Sequence, residues 1–312
     1  MTSRQLAVLL TLASIWGASF LFIKVLVDAG VGATGVTAGR SSLGFLTLVP
    51  LAYRFRNQFP RDRKTWAALA FLGLLNFGLP WTLFGIAAQH APSGASSVVN
   101  ALQPLWAALF AVVLLKSEQF GARRVTGLIL GFAGVCALMG QDMLDSDRAG
   151  AGAIVLMAGA TACYALAGVL IGRWLRHVPA FPLGFAQVGF SALYLLPIAL
   201  ATGAYSHADF TPGPVLSLLV LGGGGSGLAI VAFMWLIQQI GPVRAAVVTY
   251  LLPPVGVTLG WLVLGEPVGW NLILGLAFII SGVALVQGTP AAALFRRLSP
   301  GPAREPVVEP AE

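Results

Sequence analysis

Residues 92–118 read PSGASSVVNALQPLWAALFAVVLLKSE and residues 242–266 read PVRAAVVTYLLPPVGVTLGWLVLGE. Laid over each other with a shift of 150, Pro92 meets Pro242, Ala95 meets Ala245, Val98 meets Val248, Pro104 meets Pro254 and Leu114 meets Leu264. Downstream, a shift of 148 pairs Glu118 with Glu266, Gly127 with Gly275 and Gly134 with Gly282. Upstream, 150 pairs Asn76 with Ser226, and 147 pairs Arg40 with Gln187, Leu48 with Leu195 and Pro50 with Pro197. Helices rich in alanine and glycine align somewhere by chance. Prolines, glutamates and glycines matched in the same order point instead to an internal repeat.

The composition says what kind of repeat this is. The 312 residues are 57% hydrophobic and 9% charged, against roughly 25% charged in soluble chains, which excludes a water-soluble enzyme. Apolar stretches bounded by charge, proline or glycine predict spans near 5–23, 34–53, 66–88, 94–115 and 123–140. A second set falls near 150–171, 182–202, 213–238, 243–264 and 269–287. Each is close to the roughly 20 residues that cross a bilayer. The expected fold is therefore an all-α integral membrane protein of ten transmembrane helices around a central cavity, in a first repeat 1–144 and a second 145–288. The polar, Pro-rich segment 289–312 reads as a disordered cytoplasmic tail. A signal peptide cut near Ala18 is the alternative for the start, but the run stays apolar through Ile23 and similar runs follow it.

Charge orients the spans. Arg4, Arg54, Arg56, Arg61, Arg63, Lys64, Lys116, Arg123, Arg124, Arg173, Arg176, Arg244, Arg296, Arg297 and Arg304 fall on one side, fifteen of the eighteen cations. Lys24 and Arg148 fall on the other, and Arg40 alone lies inside a span. The positive-inside rule then places both termini in the cytoplasm of a multi-pass protein of the plasma (inner) membrane. Five spans per half, an odd number, require the second half to be inverted relative to the first, the architecture of alternating-access transporters.

Against this background Trp16-Gly17-Ala18-Ser19-Phe20, Arg40 and the two stretches Pro92–Glu118 and Pro242–Glu266 resemble the EamA-type transporters of the drug/metabolite transporter superfamily, over residues 5–288. The resemblance implies a secondary transporter and leaves its substrate open among amino acids, sugars, vitamins, nucleotide-linked metabolites and drugs. Cys163-Tyr164 stands where a Trp is commoner, and Lys116-Ser117-Glu118 replaces Gly-Glu. Neither departure bears on the fold.

Gly222–Gly227 satisfies G-x-G-x-x-G, but no strand precedes it and no acid follows about 20 residues on. Small residues in a span permit close crossing and bending, so Gly223, Gly224 and Gly225 read as a hinge. Pro80, in the matching third span, reads as another. Arg40 needs a partner or water at such depth. It either snorkels outward, forms a structural pair with Asp28 or helix-end carbonyls, near Lys24, or captures a substrate carboxylate. Ser96, Asn100 and Gln103 share a helix face. With Trp16, Phe20, Asn76, Trp81, Tyr164, Gln187, Trp235 and Tyr250 they form the expected cavity lining. Trp81 and Trp235 have the alternative of an interfacial belt.

His90, His177 and His207 are dispersed, so no metal is expected, and no cofactor. Cys136 and Cys163 read as packing residues. There is no phosphate-binding loop for ATP, no evident ATPase subunit and no sign of nucleic acid. The partners expected are a small molecule and the bilayer. A neutral, aromatic and amide-lined cavity suits a zwitterion, and among members of the family it looks most like the exporters of aromatic and other neutral amino acids. Export of a vitamin, nucleobase or organic cation, and proton-coupled antiport, stay open. With no acid well inside a span, the reading leans to facilitated diffusion or exchange. A membrane-embedded enzyme lacks any nucleophile or acid/base set, and a non-transporting membrane receptor would fill its cavity with side chains.

Overall fold

The computed structural model describes residues 2–115, 121–144, 148–240 and 248–287. Glu118 and the 289–312 tail, on which two expectations rest, lie outside them. Among the described residues the chain is helical with turns and no strand: α1 (Ser3–Asp28), α2 (Ala33–Arg54), α3 (Arg63–Gly73), α4 (Leu79–Ala87), α5 (Ser93–Asn100), α6 (Gln103–Leu115) and α7 (Ala122–Leu144). There follow α8 (Arg148–Trp174), α9 (Ala180–Ala201), α10 (Pro212–Leu219), α11 (Ala229–Ile240), α12 (Val248–Leu264) and α13 (Trp270–Gln287). A π-helical segment, Leu74–Gly78, joins α3 to α4, and another, Val220–Leu228, joins α10 to α11.

Six helical stretches are long and apolar enough to cross a membrane: Ser3–Asp28, Arg63–Ala87, Ser93–Leu114, Gly150–Trp174, Ala180–Ala201 and Pro212–Phe233. Shorter apolar helices cover Val125–Leu138, Val248–Leu264 and Trp270–Val286. The span expected at 34–53 is a 22-residue helix, but Thr34, Thr37, Arg40, Ser41 and Ser42 make it too polar for that group. Its polar face is packed inward, with Thr37, Arg40 and Ser41 buried. Leu46, Leu193, Trp261 and Leu262 each expose more than half their surface, which fits hydrocarbon surroundings and not water.

Local chemistry explains the element ends. Thr2 and Gln5 form a reciprocal capping box at the start of α1, at 3.3 and 2.8 Å, satisfying two otherwise unpaired donors. The Asp62 carboxylate accepts from the Thr65 N–H at 2.8 Å at the start of α3, and this bond holds its carboxyl below the ordinary carboxylate range. Pro104 cannot donate to the Asn100 carbonyl, and the helix breaks into α5 and α6 at Ala101–Leu102. Gly265, at φ +65°, ends α12 in the left-handed conformation that glycine tolerates.

α13 packs on α7, α9 on α2, α12 on α1 and α5, and α8 on α4 and α6. The α7–α13 crossing is built on glycine. A Cβ at Gly127 would stand 2.6 Å from the Gly282 carbonyl oxygen, and one at Gly134 would stand 2.7 Å from that of Gly275. The two ends of the bundle are distinct. At one end the 29–32 and 202–211 connections meet, with Gly32 N–H to the Ala204 carbonyl at 2.8 Å and Asp209 N–H to the Ala29 carbonyl at 2.8 Å. At the other, Thr65 and His177 approach to 3.3 Å and Phe55 packs on Phe181, beside Arg173 and Arg176. Cys136 and Cys163 are both free thiols. Cys136 is exposed, against the expectation of a packing role, because α7 turns it away from α13.

Candidate substrate cavity

Between the helices lies a cavity of about 330 Å³, at the small end of the roughly 300–1,000 Å³ typical of ligand sites. Of the expected lining, Trp16, Phe20, Asn76, Trp81, Asn100, Gln103, Tyr164 and Gln187 face it, together with Arg40. Ser96, Trp235 and Tyr250 do not. The α5–α6 break separates Gln103 from the α5 face that carries Ser96 and Asn100, and the Ser96 hydroxyl donates to the Pro92 carbonyl at 3.5 Å. Tyr250 is buried in the adjoining core. Trp235 lies under the Arg4 guanidinium, 5.1 Å from ring centre to cation, at the start of α1. Trp81 is buried and meets the cavity, so it occupies no interfacial belt.

The walls are aromatic pairs. Trp16 packs edge-on against Phe233 at 5.0 Å, Phe20 on Phe84 at 5.4 Å, Phe77 on Trp81 at 4.8 Å, and Phe84 on Tyr164 at 6.4 Å. Such pairs fix one another's rings beyond simple burial. The Trp16 indole N–H is itself spent on the Gly225 carbonyl at 2.9 Å.

Two polar bridges cross the cavity region. The Arg40 Nε–H donates to Ser226 Oγ at 3.1 Å, and the Asn76 amide donates to Gln187 Oε1 at 3.0 Å. Asn76 and Ser226 sit in the two π-helical segments, Arg40 on α2 and Gln187 on α9. Under the half-to-half alignment the two bonds join equivalent positions with donor and acceptor exchanged: Arg40 pairs with Gln187 and Ser226 with Asn76. Single π turns inside α-helices are rare and recur at functional sites. Here glycine permits them and close packing uses them. A Cβ at Gly73 would lie 2.8 Å from the Gln187 carbonyl, and one at Gly44 would lie 2.9 Å from Ser226 Cβ. The expected hinge at Pro80 is therefore displaced: the irregular turn is Leu74–Gly78, and Pro80 sits in the first turn of α4. Gly223, Gly224 and Gly225 lie inside the other π segment.

Arg40 departs from its expected structural pair. Asp28 is taken by Lys24 at 2.7 Å, and Arg40, 5% exposed, lays its guanidinium on the Trp81 ring at 3.8 Å. Placing a cation in a span costs about 2.5–3.5 kcal/mol. A desolvated cation–π contact contributes about 2 kcal/mol and an interhelical hydrogen bond about 0.6–1.7 kcal/mol. The two are enough to hold the charge with no carboxylate among the described residues beside it.

The cavity runs to Ile171, Ala180 and Leu183, near the Arg173/Arg176 end. Toward the opposite end it stops at Ile23. Beyond lie Leu26, Val31, Val36 and Ala88, each buried to 2% exposure or less. That end is further tied by Glu266, whose carboxylate accepts from Ser93 N–H at 2.7 Å, Ser93 Oγ–H at 2.9 Å and Gly94 N–H at 3.0 Å. These are the unpaired donors at the start of α5, where a carboxylate is also favoured by the helix dipole.

The profile of the EamA-like transporter family matches this chain twice, over residues 4–140 and 151–287. The chain belongs to the EamA-like transporter family. That family is one of membrane transporters and not of enzymes, and with six membrane-length helices the protein is a multi-pass membrane protein. It is 25% identical over 215 residues to the uncharacterized transporter YoaV of Bacillus subtilis, covering 69% of this chain and 70% of that one. It is 31% identical over 200 residues to the threonine/homoserine exporter RhtA of Salmonella typhimurium, covering 57% and 62%. A solved crystal structure shares the fold at a TM-score of 0.60 and 18% identity, over 92% of this chain and 98% of that one.

Several cavity residues were not singled out in the sequence: Phe77, Phe84, Phe233 and Thr249. The Phe residues look like any apolar residue of a span, and no sequence signal separates them. Ser226 did leave one, as the polar partner of Asn76 within a run of glycines.

Proposed function

We propose that the protein exports small neutral or zwitterionic metabolites, amino acids foremost, by alternating access between two inverted five-helix repeats, 1–144 and 145–288. Ten spans are the reading that assigns every helix of the fold. The repeat is supported by the two family matches and by reciprocal contacts. Gly127 meets Gly282 while Gly134 meets Gly275, and in the alignment Gly127 pairs with Gly275 and Gly134 with Gly282. Only a two-fold relation makes each residue touch the other's counterpart. The two polar bridges repeat that reciprocity at the cavity.

The observation that carries the substrate reading is the cavity itself: aromatic walls, side-chain amides, one buried cation, and no carboxylate among its described lining residues. Aromatic faces hold an apolar side chain, and Asn100, Gln103, Asn76 and Gln187 meet its polar end. Organic cations find no counter-charge there, and multiply charged phosphates find one cation only. That RhtA is named a threonine/homoserine exporter supports the amino-acid class. With Glu266 engaged at α5, no described acid is placed for proton coupling in the cavity, and transport runs down the substrate gradient. The conformation is open toward the Arg-rich end, which positive charge assigns to the cytoplasm with both termini. The π segments are the bends about which the halves rock.

Counterflow tests this. Proteoliposomes loaded with unlabelled neutral amino acids should accumulate labelled Phe, Met or Thr with neither ATP nor a pH gradient. Absence of accumulation beside a working control transporter defeats either the substrate or the uncoupled mechanism. Repeating the assay with an imposed pH gradient tells which.

A further inference from the structure

We propose that the free edge of the Arg40 guanidinium is the docking point for a substrate carboxylate, so that the transporter takes acids and rejects their esters, amides and decarboxylated amines. This deepens the amino-acid reading and rests on it for the choice of substrate. Arg40 is 5% exposed and lines the cavity. Its Nε–H is spent on Ser226 and its flat face on Trp81. The two terminal nitrogens have no protein acceptor among the described residues, yet they are not among the fully buried side-chain atoms left without a partner, so they keep access to the cavity that Arg40 lines. Stacking from behind and a hydrogen bond at Nε fix the plane of the fork, leaving its outer edge with two parallel donors. That is the geometry which receives a carboxylate through two bonds.

No described protein carboxylate competes for it. Asp28 is held by Lys24, Asp62 by Thr65 and Glu266 by Ser93 and Gly94, and Asp209 accepts from Thr211 at the bundle end. The charge complement must therefore come with the ligand. One guanidinium balances one negative charge, which selects a carboxylate over a phosphate monoester. The counterpart bridge, Asn76–Gln187, is neutral, so only one side of the cavity is built for an anion. The aromatic pairs Phe20–Phe84 and Phe77–Trp81 border the same space and receive the rest of the molecule.

The experiment compares phenylalanine, its methyl ester and phenethylamine as inhibitors of labelled phenylalanine counterflow in proteoliposomes, for the wild type, Arg40→Gln and Arg40→Lys. In the wild type the ester and the amine should compete about ten- to hundredfold more weakly than the acid. Arg40→Gln should raise KM for phenylalanine by about the same factor while leaving inhibition by the ester and amine unchanged. Arg40→Lys keeps the charge without the fork, should fall between, and decides the matter if the Gln variant does not fold. An ester that competes as well as the acid, or a wild-type KM in Arg40→Gln, overturns the proposal. If the wild type moves no amino acid at all, the amino-acid reading fails separately. Thermal unfolding in detergent with phenylacetate and phenylacetamide then decides: stabilisation by the acid alone, lost in the Arg40 variants, upholds the subsite, and equal or absent stabilisation removes it.

Discussion

The Arg40–Ser226 and Asn76–Gln187 bridges join aligned positions of the two halves and differ in charge and in which side donates. Both join a buried residue of α2 or α9 to a π-helical segment across the cavity. Both are surrounded by glycines that let the backbones approach. One ends in a cation stacked on Trp81, the other in a pair of amides. Position in the scaffold thus follows the repeat, while chemistry does not. If the halves move as the proposed inverted repeat, the cavity between them still suits an asymmetric molecule, because only one of the two aligned positions carries a charge.

The most damaging way to break the comparison is to make the bridges alike. Arg40→Gln gives both an amide, and the loss of carboxylate affinity set out above is the largest effect expected. Next is Asn76→Leu, which leaves Gln187 Oε1 buried without its donor. It should lower stability by about 1–2 kcal/mol in thermal unfolding. The double variant Asn76→Leu/Gln187→Leu should be less destabilised than the two singles added together, since no unpaired amide remains. Additive losses would mean that the bond in the described conformation contributes nothing. Ser226→Ala sharpens the comparison further. It removes the acceptor of the Arg40 Nε–H but leaves the Trp81 stack, so stability should fall by about 0.6 kcal/mol. KM should rise only severalfold, and a change as large as that of Arg40→Gln would show that Ser226, not the stack, orients the fork.

The smallest effect is expected far from both bridges, at Asp62. Its carboxyl is held low by the Thr65 N–H. Its contribution is therefore present above the ordinary carboxylate pKa and is lost as pH falls through the lower folded value. Asp62→Asn should leave counterflow at neutral pH unchanged and flatten the acid limb of a stability profile measured by thermal unfolding.

Much of this protein was legible from the residues in order. The membrane class follows from apolar run length, the EamA resemblance was carried by its motifs, and eight of the residues picked for a cavity lie around the one described. Run length and motif are each a local or periodic property. What failed were statements about partners. Of the alternatives open for Arg40, a pair with Asp28 is not formed, because Asp28 pairs one turn away with Lys24, the nearer neighbour on the same helix. Ser96, Asn100 and Gln103 were expected on one continuous face, and the helix breaks at Ala101–Leu102, which separates Gln103 from the other two. Pro80 drew attention as the bend, while the π turn lies just before it.

The amino-acid order by itself determined that this chain lies in a membrane, because hydrocarbon leaves a span few ways to satisfy its backbone. Only the tertiary structure decided which buried polar groups meet. Arg40 finds Ser226 across 186 residues and Asn76 finds Gln187 across 111. Nothing in a helix's own periodicity specifies the neighbour against which its polar face will pack.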